Sequence, residues 1–184
     1  GIPRISRTML SARLRELHDA GVIVHEDAGD GPAYALTEAG RELASVIKDL
    51  GVWGQRWLPR DTPPEQLDVD FLLWDIRRRV DVGALPAVPV VVQLVVSGAG
   101  GRGATDRFLL LRRTEVSLCS ANPGFPVELR VRASLRTLTA WWRGDLSLAD
   151  ARASGMVLEG RREWVRAFPR WFQRYQLAAV GPAR

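Results

Sequence analysis

The sequence predicts an α+β protein, in which helices and strands occur in separate runs along the chain. Apolar residues recur at helical spacing in two N-terminal stretches, residues 6–20 and 37–58. Strand-like apolar runs then fill the middle of the chain between residues 88 and 133, and helical spacing returns after them. A proline-rich break at residues 59–64 separates the first group from the rest, so we expect two domains, 1–58 and 65–184.

The composition limits the class of protein. The chain has 184 residues, of which 46% are hydrophobic and 26% charged, with a net charge of +5. No apolar run approaches the roughly 18 residues of a membrane span, and the first residues do not resemble a signal peptide. The single cysteine, Cys119, excludes an internal disulfide and fits a cytoplasmic location. The excess of arginine lies in the second half, so charge alone does not identify a nucleic-acid-binding domain.

The first domain is predicted to contain a helix, a hairpin and a second, longer helix. Ser6 is suited to cap the first helix, which we expect to end at Ala20, before Gly21. Three leucines lie on its apolar face: Leu10, Leu14 and Leu17. Residues 22–24 and 33–36 are β-prone and flank a turn cluster at 27–32. Thr37 is suited to cap the second helix, which is expected to end near Leu58.

The second domain is predicted as a sheet with helices before and after it. A helix is expected at residues 67–80. The expected strands are 88–96, 107–112, 115–119 and 127–133, and the expected later helices are 135–143, 148–153 and 161–175. Because three of the strands follow one another closely, they should form an antiparallel meander. The tail from Leu177 to Arg184 is expected to fray.

The polar face of the first helix suits a duplex of DNA. With Leu10 at the centre of the buried side, small polar and basic residues lie on the other side and its flanks: Arg7, Thr8, Ser11, Ala12, Arg13 and Arg15. Arginine can bind guanine or phosphate, Ser and Thr can donate or accept, and Ala12 leaves room for a close approach. Periodicity alone favours the alternative, an ordinary amphipathic helix whose polar face is solvated.

These residues carry a family resemblance. Gly1-Ile2-Pro3-Arg4-Ile5-Ser6-Arg7, Leu10-Ser11-x-Arg13-Leu14-x-Glu16-Leu17 and Ala20-Gly21-Val22-Ile23 resemble the recognition helix and next strand of HxlR-type regulators. Tyr34-Ala35-Leu36-Thr37-Glu38-x-Gly40-Arg41 and Trp53-Gly54-x-x-Trp57 are similar to the family in order and spacing. The resemblance implies a winged helix-turn-helix segment that binds double-stranded operator DNA as a homodimer.

The long helix with Trp53 and Trp57 is then the natural dimerisation element, although both rings could instead pack inside one protomer. The sequence also departs from the family pattern in two ways. It opens at the loop before the recognition helix, so we expect further helices upstream of Gly1. Residues 25–31 at the wing tip are acidic, so the wing is expected to stay away from phosphates.

A second resemblance covers the C-terminal sixty residues. Leu129-Arg130-Val131-x-Ala133-x-Leu135-x-Thr137-Leu138-Thr139, Trp142-x-Gly144-Asp145-Leu146-Ser147-Leu148-x-x-Ala151 and Ser154-Gly155-x-Val157-Leu158-x-Gly160 are similar to sterol-carrier-protein type-two domains. The resemblance implies a sandwich in which helices cover a mainly antiparallel sheet, with a tunnel for an apolar small molecule. The residues that match the motif and are candidates for the pocket are Leu129, Val131, Leu135, Trp142 and Val157. Core packing is the alternative role for these side chains.

Catalysis is not expected. The glycine-rich stretch 98–103 lacks the order of a phosphate-binding loop, Cys119 has no histidine near it in sequence, and His18 and His25 lack metal-ligand partners. We expect no metal, no cofactor and no membrane association. The main hypothesis is a DNA-binding transcriptional regulator whose second domain senses an apolar molecule. The alternative is a carrier of hydrophobic molecules whose winged-helix remnant serves dimerisation only.

Overall fold

The computed structural model describes residues 5–28, 31–59, 62–63, 66–98 and 103–181. The chain divides into two compact units, one ending at Leu58 and the other spanning Pro59–Gly181. Helices and a mixed sheet occur in separate runs, which confirms the α+β class. None of the described helices is both long enough and apolar enough to cross a membrane.

The first unit consists of two helices and a hairpin. Its elements are α1 (Arg7–Asp19), β1 (Ile23–Ala28), β2 (Gly31–Leu36) and α2 (Glu38–Trp57). Both helices begin at the predicted caps: the Ser6 hydroxyl accepts from the Met9 amide at 3.1 Å, and the Thr37 hydroxyl accepts from the Gly40 amide at 3.1 Å. The strands are longer than predicted, because most of the expected turn at 27–32 lies within them; residues 29–30 are outside the described part.

Hydrogen bonds hold the start of α2 against the loop that joins α1 to β1. The Thr37 hydroxyl donates to the Gly21 carbonyl at 2.6 Å, and the Thr37 amide donates to the Val22 carbonyl at 3.1 Å. A Cβ atom at position 40 would overlap the same Val22 carbonyl. Gly40 therefore allows α2 to approach the backbone that leads into β1.

The second unit is built on a five-stranded sheet. Its elements are α3 (Val69–Arg78), β3 (Val90–Ser97), β4 (Thr105–Leu111), β5 (Val116–Cys119), β6 (Val127–Ser134), α4 (Leu135–Arg143), α5 (Leu148–Ala153), β7 (Val157–Gly160) and α6 (Arg162–Ala167). The strand order is β5-β4-β3-β6-β7. Every neighbouring pair is antiparallel except β3 and β6. The sheet is thus mainly antiparallel, and the predicted meander is β3-β4-β5.

One face of this sheet and the helices enclose the main core. Val90, Val92, Leu94 and Val96 of β3 are at most 2% exposed and pack in one cluster with residues of β4, β6 and the helices. Alternate residues along β3 thereby point to the helices, as the period of a strand requires. The largest side chains of the cluster are aromatic: Trp141, Trp142, Phe168, Trp171 and Phe172. Stacked, tilted and edge-on ring contacts join them, with centroids 5.1–6.4 Å apart.

The C-terminal part differs from the sequence prediction. Instead of one helix over 161–175, α6 ends at Ala167 and a 3-10 turn follows at Phe168–Arg170. Pro169 has no amide hydrogen to donate to a longer helix, and Phe172 forms an isolated bridge with Val80. The strand β7 was not predicted, since its four residues are too short to show alternation. The predicted fraying at Leu177 is wrong for that residue, which is 5% exposed.

Candidate nucleic-acid interface

The helix α1 displays all six residues predicted to contact DNA. Every one of them is exposed: Arg7, Thr8, Ser11, Ala12, Arg13 and Arg15. No residue of α1 is buried, so exposure by itself does not distinguish the polar face from the rest. What distinguishes it is chemistry, since this face alternates hydroxyls and guanidinium groups around the small Ala12.

The three arginines of α1 are not equivalent. The Arg13 Nη1 atom bonds the Glu16 Oε2 atom at 2.6 Å, so its charge already has a neighbouring carboxylate. Arg7 and Arg15 pair with no carboxylate among the described residues. An unpaired guanidinium is the better donor to phosphate or to a guanine edge, because no ion pair must first be broken. Among the described residues, Arg7 and Arg15 thus differ from Arg13 in having no carboxylate beside the guanidinium group.

An open cavity of about 290 Å³ lies between α1 and the hairpin. Its lining residues are Ser11, Leu14, Arg15, His18, His25 and Tyr34. The His25 and Tyr34 rings meet edge to face, with centroids 5.2 Å apart. Two of the predicted contact residues, Ser11 and Arg15, therefore share a concave surface with the hairpin, which sequence periodicity could not reveal because it involves neighbours distant along the chain.

Apolar side chains are exposed along much of the first unit. On α1, Leu10 and Leu17 are 42% and 41% exposed, so the face predicted to be buried is half open in the described chain. Six large apolar residues of α2 are exposed; Ile47 is one of them, and the other five follow a three–four spacing: Leu43, Val46, Leu50, Trp53 and Trp57. The two tryptophans are 52% and 63% exposed. Neither ring is enclosed by its own protomer, which was the alternative role for them.

None of the five residues predicted to line a pocket lines either of two cavities, the one between α1 and the hairpin and one beside α4. Leu129, Val131, Leu135 and Trp142 are at most 2% exposed and belong to the main core. Val157 is 40% exposed on the edge strand β7. Motif similarity located these positions but could not distinguish a core side chain from a cavity wall. Their contact with a ligand remains a prediction.

A half-open cavity of about 320 Å³ lies beside α4. Its wall combines hydroxyls, apolar groups and charged groups: Thr62, Leu67, Arg136, Thr137, Thr139, Ala140, Arg143, Asp145, Leu146 and Ser154. Arg143 bridges the wall, because its Nη1 atom donates to the Thr62 hydroxyl at 2.7 Å and its Nε atom lies 3.4 Å from an Asp145 oxygen. None of the five predicted pocket residues is among the lining residues.

The sequence prediction missed a buried polar cluster beneath α4. The Trp142 Nε1 atom donates to the Asp75 Oδ2 atom at 2.8 Å, and Arg78 Nε donates to Oδ1 at 2.7 Å. Burial by itself would raise the pKa of Asp75, but the Trp142 and Arg78 hydrogen bonds and the charges of Arg79 and Arg78 outweigh it. The pKa of Asp75 therefore lies below its ordinary value. An acidic residue within the apolar stripe of α3, with arginines three and four positions later, was the available signal.

Comparison with solved structures gives only low similarity scores. The chain is similar to a sec-alkylsulfatase from Pseudomonas sp., with 20% identity and a TM-score of 0.47, covering 61% of this chain and 17% of that one. It is also similar to a sterol carrier protein 2-like protein from Aedes aegypti, with 18% identity and a TM-score of 0.42 over 55% of this chain and 94% of that one. A palmitated form of that mosquito protein gives 20% identity, a TM-score of 0.44 and coverages of 59% and 99%.

Sequence comparison is informative for the N-terminal part. HTH-type transcriptional regulator Mb3122 of Mycobacterium bovis is 42% identical over 71 residues, 36% of this chain and 43% of that protein. YdeP of Bacillus subtilis, also an HTH-type transcriptional regulator, is 39% identical over 61 residues, 32% of this chain and 48% of that protein. The matches thus span under half the length of these relatives. The family model for the HxlR-like helix-turn-helix matches residues 1–62, so this part of the chain is similar to that family.

Proposed function

We propose that this protein is a DNA-binding transcriptional regulator in which α1 reads the operator from the major groove. The observation that carries the proposal is the exposed polar face of α1, with unpaired Arg7 and Arg15, within a segment that matches a helix-turn-helix family. The adjoining hairpin occupies the position of a wing. A regulator of this kind acts in the cytoplasm, where its DNA lies, and requires no catalytic group.

The test is a binding titration of the full-length protein with duplexes selected from a random-sequence pool. Arg7→Ala and Arg15→Ala should each weaken binding by about 1–3 kcal/mol if the lost contact is to a base. Arg13→Ala should weaken binding less, because Arg13 already pairs with Glu16. Lys48→Ala removes an exposed positive charge from α2 rather than α1 and serves as the matched control. Equal affinity of wild type and both variants would exclude α1 as the reading helix.

The proposal includes a homodimer formed through α2. The exposed residues at positions 43, 46, 50, 53 and 57 follow the alternating three–four spacing of a helix seam. In a symmetric pair, the same stripe on a second copy would cover these side chains. A dimer would also present two copies of α1 to a palindromic operator, which doubles the number of contacts available to one duplex.

The proposal also includes a role for the second unit, which is to sense an apolar small molecule. The cavity beside α4 supports it, because Leu67, Ala140 and Leu146 supply apolar wall and Thr139 supplies a hydroxyl that could orient a polar end. A volume of about 320 Å³ lies at the small end of the range for ligand pockets. The buried side chains of Leu135 and Trp142 would then support the wall from inside rather than contact the molecule.

Saturable uptake of a fluorescent fatty acid tests this part. Thr139→Trp should fill the cavity and abolish uptake without lowering the melting temperature, since Thr139 is only partly buried. Ala149→Trp places the same ring on an exposed position of α5 that does not line the cavity, and uptake should persist. Absence of saturable uptake in wild type across a panel of lipids and apolar dyes would remove the sensing role while leaving DNA binding intact.

A further inference from the structure

Among the described residues of the second unit, four arginine side chains make no hydrogen bond, ion pair or ring contact, and three of them lie on one helical segment; the fourth, Arg152, belongs to α5. Most described arginines of this unit bond a carboxylate, a carbonyl or an aromatic ring, as Arg107 does with Asp70 and Arg132 with Glu159. Among the described residues, Arg162, Arg166 and Arg170 have no hydrogen bond, ion pair or ring contact. All three are exposed.

The three exposed arginines are spaced four residues apart along one short helical stretch. Arg162 and Arg166 belong to α6, and Arg170 ends the 3-10 turn that follows it. Arg162 and Arg166 are about one turn of α6 apart, and Arg170 follows four residues later at the end of the 3-10 turn. The rise is about 1.5 Å per residue in an α-helix and about 2.0 Å in a 3-10 helix, so four residues correspond to about 6–8 Å along the axis.

The apolar side chains of the same segment pack into the main core. Phe168 and Trp171 are 2% and 1% exposed, and Trp164 packs against the cluster they belong to. The segment therefore has no apolar face left to insert into a lipid surface, which an interfacial helix needs. Its rigid packing also holds the three arginine backbones at fixed spacing, so a partner binds without first ordering this part of the chain.

We propose that this arginine row, Arg162, Arg166 and Arg170, binds phosphates of duplex DNA and adds a sequence-independent contact to the one made by α1. The inference rests on the proposed DNA-binding function. A DNA strand presents one phosphate per about 3.4 Å of helix axis, so arginines about 6–8 Å apart along the chain axis match the spacing of alternate phosphates. Guanidinium groups form paired hydrogen bonds with phosphate oxygens, and no internal ion pair has to be broken. The second unit is joined covalently to the first, which raises its effective concentration near bound DNA.

The salt dependence of binding distinguishes a phosphate contact from other effects. The full-length protein with Arg162, Arg166 and Arg170 all changed to Gln is titrated against a fluorescein-labelled random-sequence duplex over a range of salt concentrations. Each lost phosphate contact lowers the slope of log K against log salt by about 0.9, so the expected decrease for three contacts is about 2–3. A charge-matched control, Arg107, Arg130 and Arg132 all changed to Gln, alters arginines that have partners and should leave the slope nearly unchanged.

The outcomes separate this inference from the proposed function. If the row variant keeps the wild-type slope while Arg7→Ala weakens binding, the arginine row does not contact DNA and the α1 proposal stands. If both triple variants lower the slope equally, net charge rather than the row is responsible, and the inference is overturned. Vesicles of phosphatidylserine and phosphatidylcholine form the third arm: a row-dependent vesicle interaction with an unchanged DNA slope would identify a lipid partner instead. If wild type binds no duplex at all, both proposals fail together.

Discussion

The dimer proposal leads to a prediction for Trp57 that can be worked from its exposure. A tryptophan side chain has roughly 250 Å² to bury, and 63% of Trp57 is exposed in the protomer. About 160 Å² would therefore be covered in a complete dimer, which at about 25 cal/mol per Å² corresponds to about 4 kcal/mol. Losses of side-chain entropy and incomplete burial reduce this to about 2–4 kcal/mol for each copy.

In a symmetric dimer both protomers carry the Trp57→Ala substitution, so the loss in the free energy of dimerisation is twice the loss for one copy. With about 1.4 kcal/mol per factor of ten, the dissociation constant should rise by at least about a thousandfold. Sedimentation velocity over a wide concentration range measures this shift directly. Trp74→Ala on α3 is the matched control, because Trp74 is 37% exposed but stacks on Phe71 and lies outside the α2 stripe. A wild-type protein that stays monomeric at every concentration, or a Trp57 variant that dimerises as wild type does, would refute the reasoning.

Two further predictions concern the buried cluster beneath α4. Trp142→Ala should lower the free energy of unfolding by about 3–5 kcal/mol, because the ring is 2% exposed and fully packed; chemical denaturation measures the loss. The pKa of Asp75 is depressed in the folded state, so its ionised form adds stability that is complete above the unfolded-state pKa and is lost as the pH falls through the lower folded-state value. Melting temperatures between neutral and strongly acidic pH should therefore fall less steeply for Asp75→Asn than for wild type. Parallel curves would contradict the assigned ion pairs.

The parts of the fold that the sequence predicted are those governed by local chemistry. Ser6 and Thr37 were identified as caps because a hydroxyl beside an apolar-periodic run satisfies free amides, and both do so in the structure. The β3-β4-β5 meander followed from short connections between strand-like runs. These signals involve residues within a few positions of one another, where periodicity and turn chemistry are informative.

The parts that were missed depend on contacts between distant residues. The pairing of β7 with β6 and the parallel pairing of β3 with β6 leave no local pattern. Trp142 was predicted as a pocket candidate from its motif alone, whereas its hydrogen-bond partner Asp75 lies 67 positions earlier. For the candidate interface, helical periodicity predicted which residues lie on the polar face of α1. The ion pair of Arg13 with Glu16 and the cavity that α1 shares with the hairpin became visible only in the structure.

The distribution of burial connects the two units to the proposed regulator. In the described part of the first unit, Ile23 is the single large apolar side chain below 9% exposure, whereas the second unit encloses most of the chain's core. A segment with so little core of its own gains stability from whatever covers Leu50, Trp53 and Trp57. Association through α2 would therefore stabilise the DNA-reading helix as well as duplicate it. Folding of the first unit, dimerisation and operator binding should accordingly be linked, so that weakening any one of them weakens the other two.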